Sequence, residues 1–182
     1  MGREGFDWGW DHTFDNPRLI ELCAKLLRPG GSLLYWTDWK LLGTLTSVAV
    51  ACGLEEKDPL VLEKPSPQPR NIKRRYVSDK EFGFWCVKPK AKWTFTPAEK
   101  GYRRTLFRYD TPRGKRRVHP TQKPLQLFTD LIAIHSNPGD LVLDPCMGSG
   151  TTAVAAKNLG RRFVGCEIDL DHYSSATQAL SR

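Results

Sequence analysis

The chain has 182 residues, 40% hydrophobic and 10% aromatic with 6 Trp, and a formal net charge of +8. This composition excludes a disordered chain, no apolar run approaches the ~20 residues of a membrane helix, and the length allows one domain with a sizeable core and a small appended lobe. The charge is local: 18 Lys or Arg stand between Lys64 and Lys123 against 4 Asp or Glu, a balance of +14, whereas the remainder balances at −6.

Residues Met1 to Asn16 are rich in Gly, Asp and Trp, lack periodicity and read as irregular. They have no signal-peptide core, and Phe6 stands where a myristoylation signal needs Ser or Thr. The 5 cysteines are scattered without a Cys-x-x-Cys pair, and the 4 His complete no metal-ligand spacing. These features predict reduced thiols in a soluble cytoplasmic protein without a metal site.

Asp15 or Asn16 before Pro17 starts a helix whose apolar face carries Leu19, Ile20, Cys23, Leu26 and Leu27, and which stops at Arg28-Pro29-Gly30-Gly31. Ser32 to Thr37 reads as a strand, Trp39 to Cys52 as a helix and Leu60 to Glu63 as a short strand, an alternation that predicts an α/β fold. Lys64 to Tyr76 holds three prolines at alternate positions, which remove backbone donors and make an exposed basic loop. Phe82 to Lys88 reads as a strand, and Pro89 to Arg117 as a long basic connection without a clear period.

This basic region is interleaved with Tyr76, Trp85, Trp93, Phe95, Tyr102, Phe107 and Tyr109. Cations for phosphates and rings for bases are what nucleic-acid binding requires. A solvated face with its aromatics in the core is the alternative.

His119-Pro120-Thr121-Gln122-Lys123-Pro124 leads into an apolar helix from Leu125 to His135. Then Leu141-Val142-Leu143-Asp144 reads as a strand, Gly148-Ser149-Gly150 as a tight loop and Thr151 to Leu159 as a helix. A second apolar segment, Phe163 to Cys166, ends on Glu167, 19 residues after Gly148, where a carboxylate can grip a ribose. A last helix spans Asp171 to Leu180.

The strand, glycine loop, helix and carboxylate make a nucleoside-cofactor pocket. Asp144 just before the loop would repel a pyrophosphate but suits the cationic sulfonium and amino groups of S-adenosylmethionine, and no Gly-Lys-Ser/Thr closes the loop for ATP. Most of the sheet must precede the glycine loop, so the strand order is permuted.

The run His119 to Pro124, then Asp144-Pro-Cys-Met-Gly-Ser-Gly-Thr-Thr152, then Arg162-Phe-Val-Gly-Cys-Glu-Ile-Asp169 and Tyr173, resembles the permuted (β) group of S-adenosylmethionine-dependent DNA amino-methyltransferases. With Lys64 to Tyr76 and Lys92 to Phe95, the resemblance covers nearly the whole chain, and is greatest to the adenine methylases of restriction systems recognising GATC. It implies a Rossmann-like sheet in permuted order. Residues 1–63 form its first half, residues 64–118 the DNA-recognition segment with one strand of the sheet (82–88), and residues 119–182 the cofactor-binding half.

By position, Asp144, Pro145, Gly148, Ser149, Gly150 and Thr151 would surround the methionine end of the cofactor, Glu167 would bind the ribose, and Thr121, Gln122 and Lys123 would close over it. Arg70, Lys73, Arg74, Arg75, Arg116 and Arg117 are the expected DNA phosphate contacts. Cys146 replaces a common Phe and loosens the pocket wall. DNA and a restriction endonuclease of the same system are the implied partners.

The family presents a flipped-out base to an Asp-Pro-Pro-Tyr loop, and this sequence has none. Asp58-Pro59-Leu60 lacks an aromatic residue and precedes a strand, and Ser66-Pro67-Gln68-Pro69 lacks adjacent prolines. In the permuted order that loop lies upstream, so Met1 reads as an internal methionine of a longer protein. The strand leading into the loop would lie between the cofactor strand and Ser32 to Thr37. Without it, unpaired ladder groups cost roughly 1 to 3 kcal/mol each when buried, so the isolated chain is expected to fold poorly. The expected function is N6-adenine DNA methylation, weak or absent in this chain alone. N4-cytosine methylation, a non-catalytic DNA-binding remnant and, less favoured, a nucleotide-dependent dehydrogenase are the alternatives.

Overall fold

The computed structural model describes residues 14–67, 72–110 and 123–181. In chain order these form α1 (Asn16–Leu26), β1 (Ser32–Thr37), α2 (Leu42–Ala51), β2 (Glu55–Glu63), β3 (Lys80–Val87), β4 (Leu106–Arg108), α3 (Leu125–His135), β5 (Leu141–Asp144), α4 (Thr151–Asn158), β6 (Arg162–Gly165) and α5 (Leu170–Leu180). The strands make two sheets, one ordered β1-β3-β2-β4 and one of β5 and β6. β3 runs antiparallel to β1 and β2, whereas β2 with β4 and β5 with β6 are parallel. Among the described residues, no helix is long and apolar enough to cross a membrane.

Alternation along the strands sorts the core into layers. Leu33, Tyr35, Phe84 and Cys86 face Ile20 and Ala24 of α1 and Leu45 and Ala49 of α2. On the opposite face Trp85, Val87, Leu60 and Leu62 meet Leu127 and Leu131 of α3. A third cluster joins Ile132 of α3 to Ala155 and Ala156 of α4, with Val142 and Phe163 from the small sheet. The α1 helix starts where expected, because Asp15 accepts from the Arg18 amide at 2.9 Å and Pro17 fits the first turn.

Among the described residues, the outer edges of β1 and β5 carry no partner strand. The two edges belong to neighbouring parts of the molecule. Arg28, before β1, pairs with Asp140, before β5, at 2.9 Å. Beyond the other end of β5, Cys146 lies near Tyr35 and Cys23: burial raises the Tyr35 hydroxyl above its ordinary pKa, and these two thiols add to the effect.

The structure corrects several local expectations. Asp58-Pro59 lies inside β2 and does not precede it, after a register shift between Glu56 and Asp58. Proline is tolerated there because β4 pairs β2 only from Val61 to Glu63, leaving the backbone at Pro59 free of a neighbour on that side. The connection after Pro89 contains β4, whose three residues are too few to show a period.

His135, near the end of α3, is wedged between Trp85 at 4.5 Å and Phe95 at 5.8 Å, and its Nδ1 is buried with no hydrogen-bond partner among the described residues. Burial, assisted by Arg103, pushes its pKa from an ordinary 6.5 down to about 4. The unfolded chain therefore takes up this proton first, and the stability that neutral His135 contributes is complete above pH 6.5 and drains away as pH falls through 4. The difference corresponds to roughly 3 kcal/mol. Melting His135→Phe beside the parent chain from pH 7 to 4 should show a flatter decline in the variant; parallel curves would refute this.

Candidate functional site

The loop between β5 and α4 is built around two carboxylates. Asp144, the last residue of β5, accepts from the Cys146 amide at 3.1 Å and the Thr152 hydroxyl at 2.6 Å, so it ties both ends of the loop together. Glu167, just past β6, accepts from the Gly148 amide at 2.8 Å and the Asp169 amide at 3.0 Å. Asp169 in turn caps α5, accepting from the amides of Asp171 and His172. The strand pairing continues past β5 as well, with the Cys166 amide donating to Asp144 and the Met147 amide to Cys166. Both carboxylates thus lie at the carboxyl ends of adjacent parallel strands, where open α/β sheets bind ligands.

The glycines have different tasks. Gly148 takes a φ of 52° and turns its amide onto Glu167. Gly150 caps α4 at a φ of 80°, and a Cβ there would lie 2.9 Å from the Ala176 Cβ, so its lack of a side chain admits α5. Ser149 and Thr152 are each only 7% exposed. Pro145 and Thr151 are half-buried on the loop. Burial, and then Asp144 and Glu167, push the Cys146 thiol up to about 11, so this residue is a neutral part of the wall.

Two participants escaped the sequence reading. Thr152, rather than its neighbour Thr151, bonds Asp144; the Thr-Thr doublet was the available signal. Ile168, beside Glu167, is 97% exposed and offers an apolar surface next to a carboxylate; Glu-Ile-Asp at a strand end was the signal. Among the described residues, no group of three or more His, Cys, Asp or Glu is arranged to hold a metal.

Lys123 does not contact the glycine loop through an ion pair; it pairs with Glu81 of β3 at 3.1 Å and stands 6.0 Å above the Trp36 ring. Thr121 and Gln122 lie outside the described residues, as do Arg70, Arg116 and Arg117. Lys73, Arg74 and Arg75 form an exposed turn beside Tyr76, itself 97% exposed.

The aromatics of the basic region divide between surface and core, so each of the two readings of this region holds for some of its rings. Tyr102 projects with Arg104 against its ring. Trp85 is buried and stacks on Phe95 at 5.5 Å. Phe107 and Tyr109 pack beneath α3, with the Tyr109 hydroxyl donating to Asp130, and Lys57 lies over Trp93 at 4.0 Å. Trp85 takes the core because it sits on a strand sandwiched between its neighbours and α3.

A sequence profile of the DNA methylase family matches residues 14–178. The Type II methyltransferase M2.DpnII of Streptococcus pneumoniae is 28% identical over 203 residues, spanning 96% of this chain and 71% of that protein. The crystal structure of an M1.HpyAVI–SAM complex superposes with a TM-score of 0.86 at 40% identity, covering 94% of this chain and 85% of that one. The PvuII DNA methyltransferase, described as cytosine-N4-specific, shares the fold with a TM-score of 0.71 at 18% identity, over 88% and 67% of the two chains. The glycine loop framed by Asp144 and Glu167 therefore sits in an amino-methyltransferase scaffold, and the chain belongs to the N6/N4 DNA methylase family.

Proposed function

We propose that this chain is the cofactor- and DNA-binding part of a site-specific DNA methyltransferase that moves a methyl group from S-adenosylmethionine to N6 of adenine. The observation that carries the reading is the pair of carboxylates, Asp144 and Glu167, framing one glycine loop at the ends of adjacent parallel strands. Negative groups there suit a cationic, phosphate-free cofactor and oppose a pyrophosphate.

The residues present fit that cofactor. Asp144 faces its cationic methionine end, with Pro145, Gly148, Ser149, Gly150 and Thr151 forming the loop around it. Glu167 accepts from the ribose hydroxyls, and exposed Ile168 offers its apolar side chain to the adenine. Thr121, Gln122 and Lys123 complete the cover. When bound, the cofactor supplies an electrophilic methyl group on sulfur. Arg70, Lys73, Arg74, Arg75, Arg116 and Arg117 neutralise DNA phosphates.

The sequence contains no Asp-Pro-Pro-Tyr loop to hold a flipped base, so the chain binds both ligands without completing transfer by itself. Every motif present also serves N4-cytosine methylation, the second reading. Analysis of the methylated base made by an active form separates the two. A paired restriction endonuclease and a cytoplasmic setting follow from the same reading.

The test is titration of the chain with S-adenosylmethionine, with NAD and with duplex DNA at several salt concentrations. Saturable binding of S-adenosylmethionine, no binding of NAD, and DNA affinity that falls steeply with salt are expected. Binding of NAD in place of S-adenosylmethionine would overturn the reading.

A further inference from the structure

Two segments that the proposed function assigns to different ligands end on one carboxylate. Lys64, the first residue beyond β2, opens the basic loop on the DNA side. Lys123 closes the His119–Lys123 run on the cofactor side and immediately precedes Pro124 and α3. Lys64 Nζ stands 3.5 Å from Glu81 Oε1, and Lys123 Nζ stands 3.1 Å from Glu81 Oε2, so each carboxylate oxygen serves a different segment.

The surroundings hold this arrangement in place. The three side chains are between 18% and 31% exposed. The Lys64 amide donates to the Asp79 carbonyl at 2.7 Å, fixing the loop's first residue beside β3. Trp36, beneath Lys123, lies across Gly83 of β3, where a Cβ would come within 3.1 Å of the indole. Burial alone would raise the Glu81 pKa, yet Lys123 and Lys64 outweigh it and hold the carboxyl below its ordinary value. Glu81 is therefore an anion shared by two cations that belong to separate stretches of chain.

We propose that Glu81 is a positioning residue that couples the DNA-side loop to the cofactor-side segment. This rests on the ligand assignments made under the proposed function. A DNA phosphate that draws Lys64 away leaves Glu81 to Lys123 alone, and an undivided carboxylate holds one ammonium more firmly than a shared one. Lys123 and the first turn of α3 are then held more firmly. DNA thus tightens cofactor binding, and by linkage the cofactor tightens DNA binding by the same factor.

The experiment titrates S-adenosylmethionine into the full chain with and without saturating duplex DNA, in the parent and in Glu81→Gln, Glu81→Asp and Lys64→Met. The parent should show at least about fivefold tightening by DNA. Glu81→Gln should abolish the tightening, and Glu81→Asp should restore part of it. Lys64→Met should bind S-adenosylmethionine without DNA about as tightly as the parent does with it. A merely structural Glu81 would weaken both affinities and leave their ratio intact, and an unchanged ratio in Glu81→Gln overturns the proposal.

A ligand-free measurement keeps it falsifiable if the chain binds neither ligand, a result that would refute the proposed function separately. Hydrogen exchange at the Thr129 and Asp130 amides, which close the first turn of α3, should slow in Lys64→Met and quicken in Glu81→Gln. No change in either variant overturns the coupling.

Discussion

Extending this chain at its amino end with an apolar strand that finishes in Asp-Pro-Pro-Tyr should produce methyl transfer to duplex DNA, while the 182-residue chain alone should produce none. Under the proposed function the chain contributes the cofactor loop and the DNA-binding surface, and its sequence holds no Asp-Pro-Pro-Tyr motif to orient an exocyclic amine toward the sulfonium. Loss of one preorganised polar group commonly costs about 10² to 10³ in rate, and loss of the whole constellation costs more, so a gain of at least about 10³-fold is expected. The same extension should raise the melting temperature, because a strand between β1 and β5 would pair both outer edges. At roughly 2 to 4 °C per kcal/mol for a chain of this size, a rise of several degrees is expected. Transfer of tritiated methyl groups to DNA and thermal melting measure the two effects. Equal transfer by both forms would refute the catalytic argument, and an unchanged melt would refute the sheet argument.

Asp144→Ala should cost the next largest effect, a loss of about 10²-fold in S-adenosylmethionine affinity. Two contributions combine. The substitution strips the buried Thr152 hydroxyl and the Cys146 amide of their shared acceptor, at a cost of roughly 1 to 3 kcal/mol. It also removes the negative charge that the proposed function sets against the cofactor's cationic end. Asp144→Asn separates these contributions, since its carbonyl oxygen can still accept from one donor while the charge is gone; about tenfold loss is expected there, or about 1.4 kcal/mol. Calorimetric titration reads all three proteins. Affinities equal to the parent's in both variants would remove Asp144 from the site.

Local chemistry made much of the fold readable. Asp15 and Pro17 start α1, Ser32–Thr37 and Leu141–Asp144 are strands, and Leu125–His135 is a helix, because caps, prolines and apolar periods act over a few residues. The cofactor loop was readable for the same reason: strand, glycine loop, helix and distal carboxylate are consecutive in sequence, and the structure brings Asp144 and Glu167 to one loop. Signals that depend on partners were harder to read. Pro59, expected just before the strand Leu60–Glu63, lies inside β2 because β4 pairs that strand only from Val61 onward. Whether Trp85, Phe107 and Tyr109 line the surface or the core was open in the sequence, and α3 decides it by covering them.

The sequence by itself determined the α/β class, the strand, glycine loop and helix that carry Asp144 and Glu167, the concentration of positive charge and the absence of an Asp-Pro-Pro-Tyr motif, all properties of residue type and local spacing. Only the tertiary structure decided that Lys123 turns to Glu81, that Thr152 rather than Thr151 anchors Asp144, and that, among the described residues, β1 and β5 present open edges in neighbouring parts of the molecule. Those outcomes depend on which side chains and edges meet across 8 to 112 positions of sequence, from Thr152 with Asp144 to Arg28 with Asp140. Such meetings follow from the packing of whole layers and have no counterpart in a local pattern.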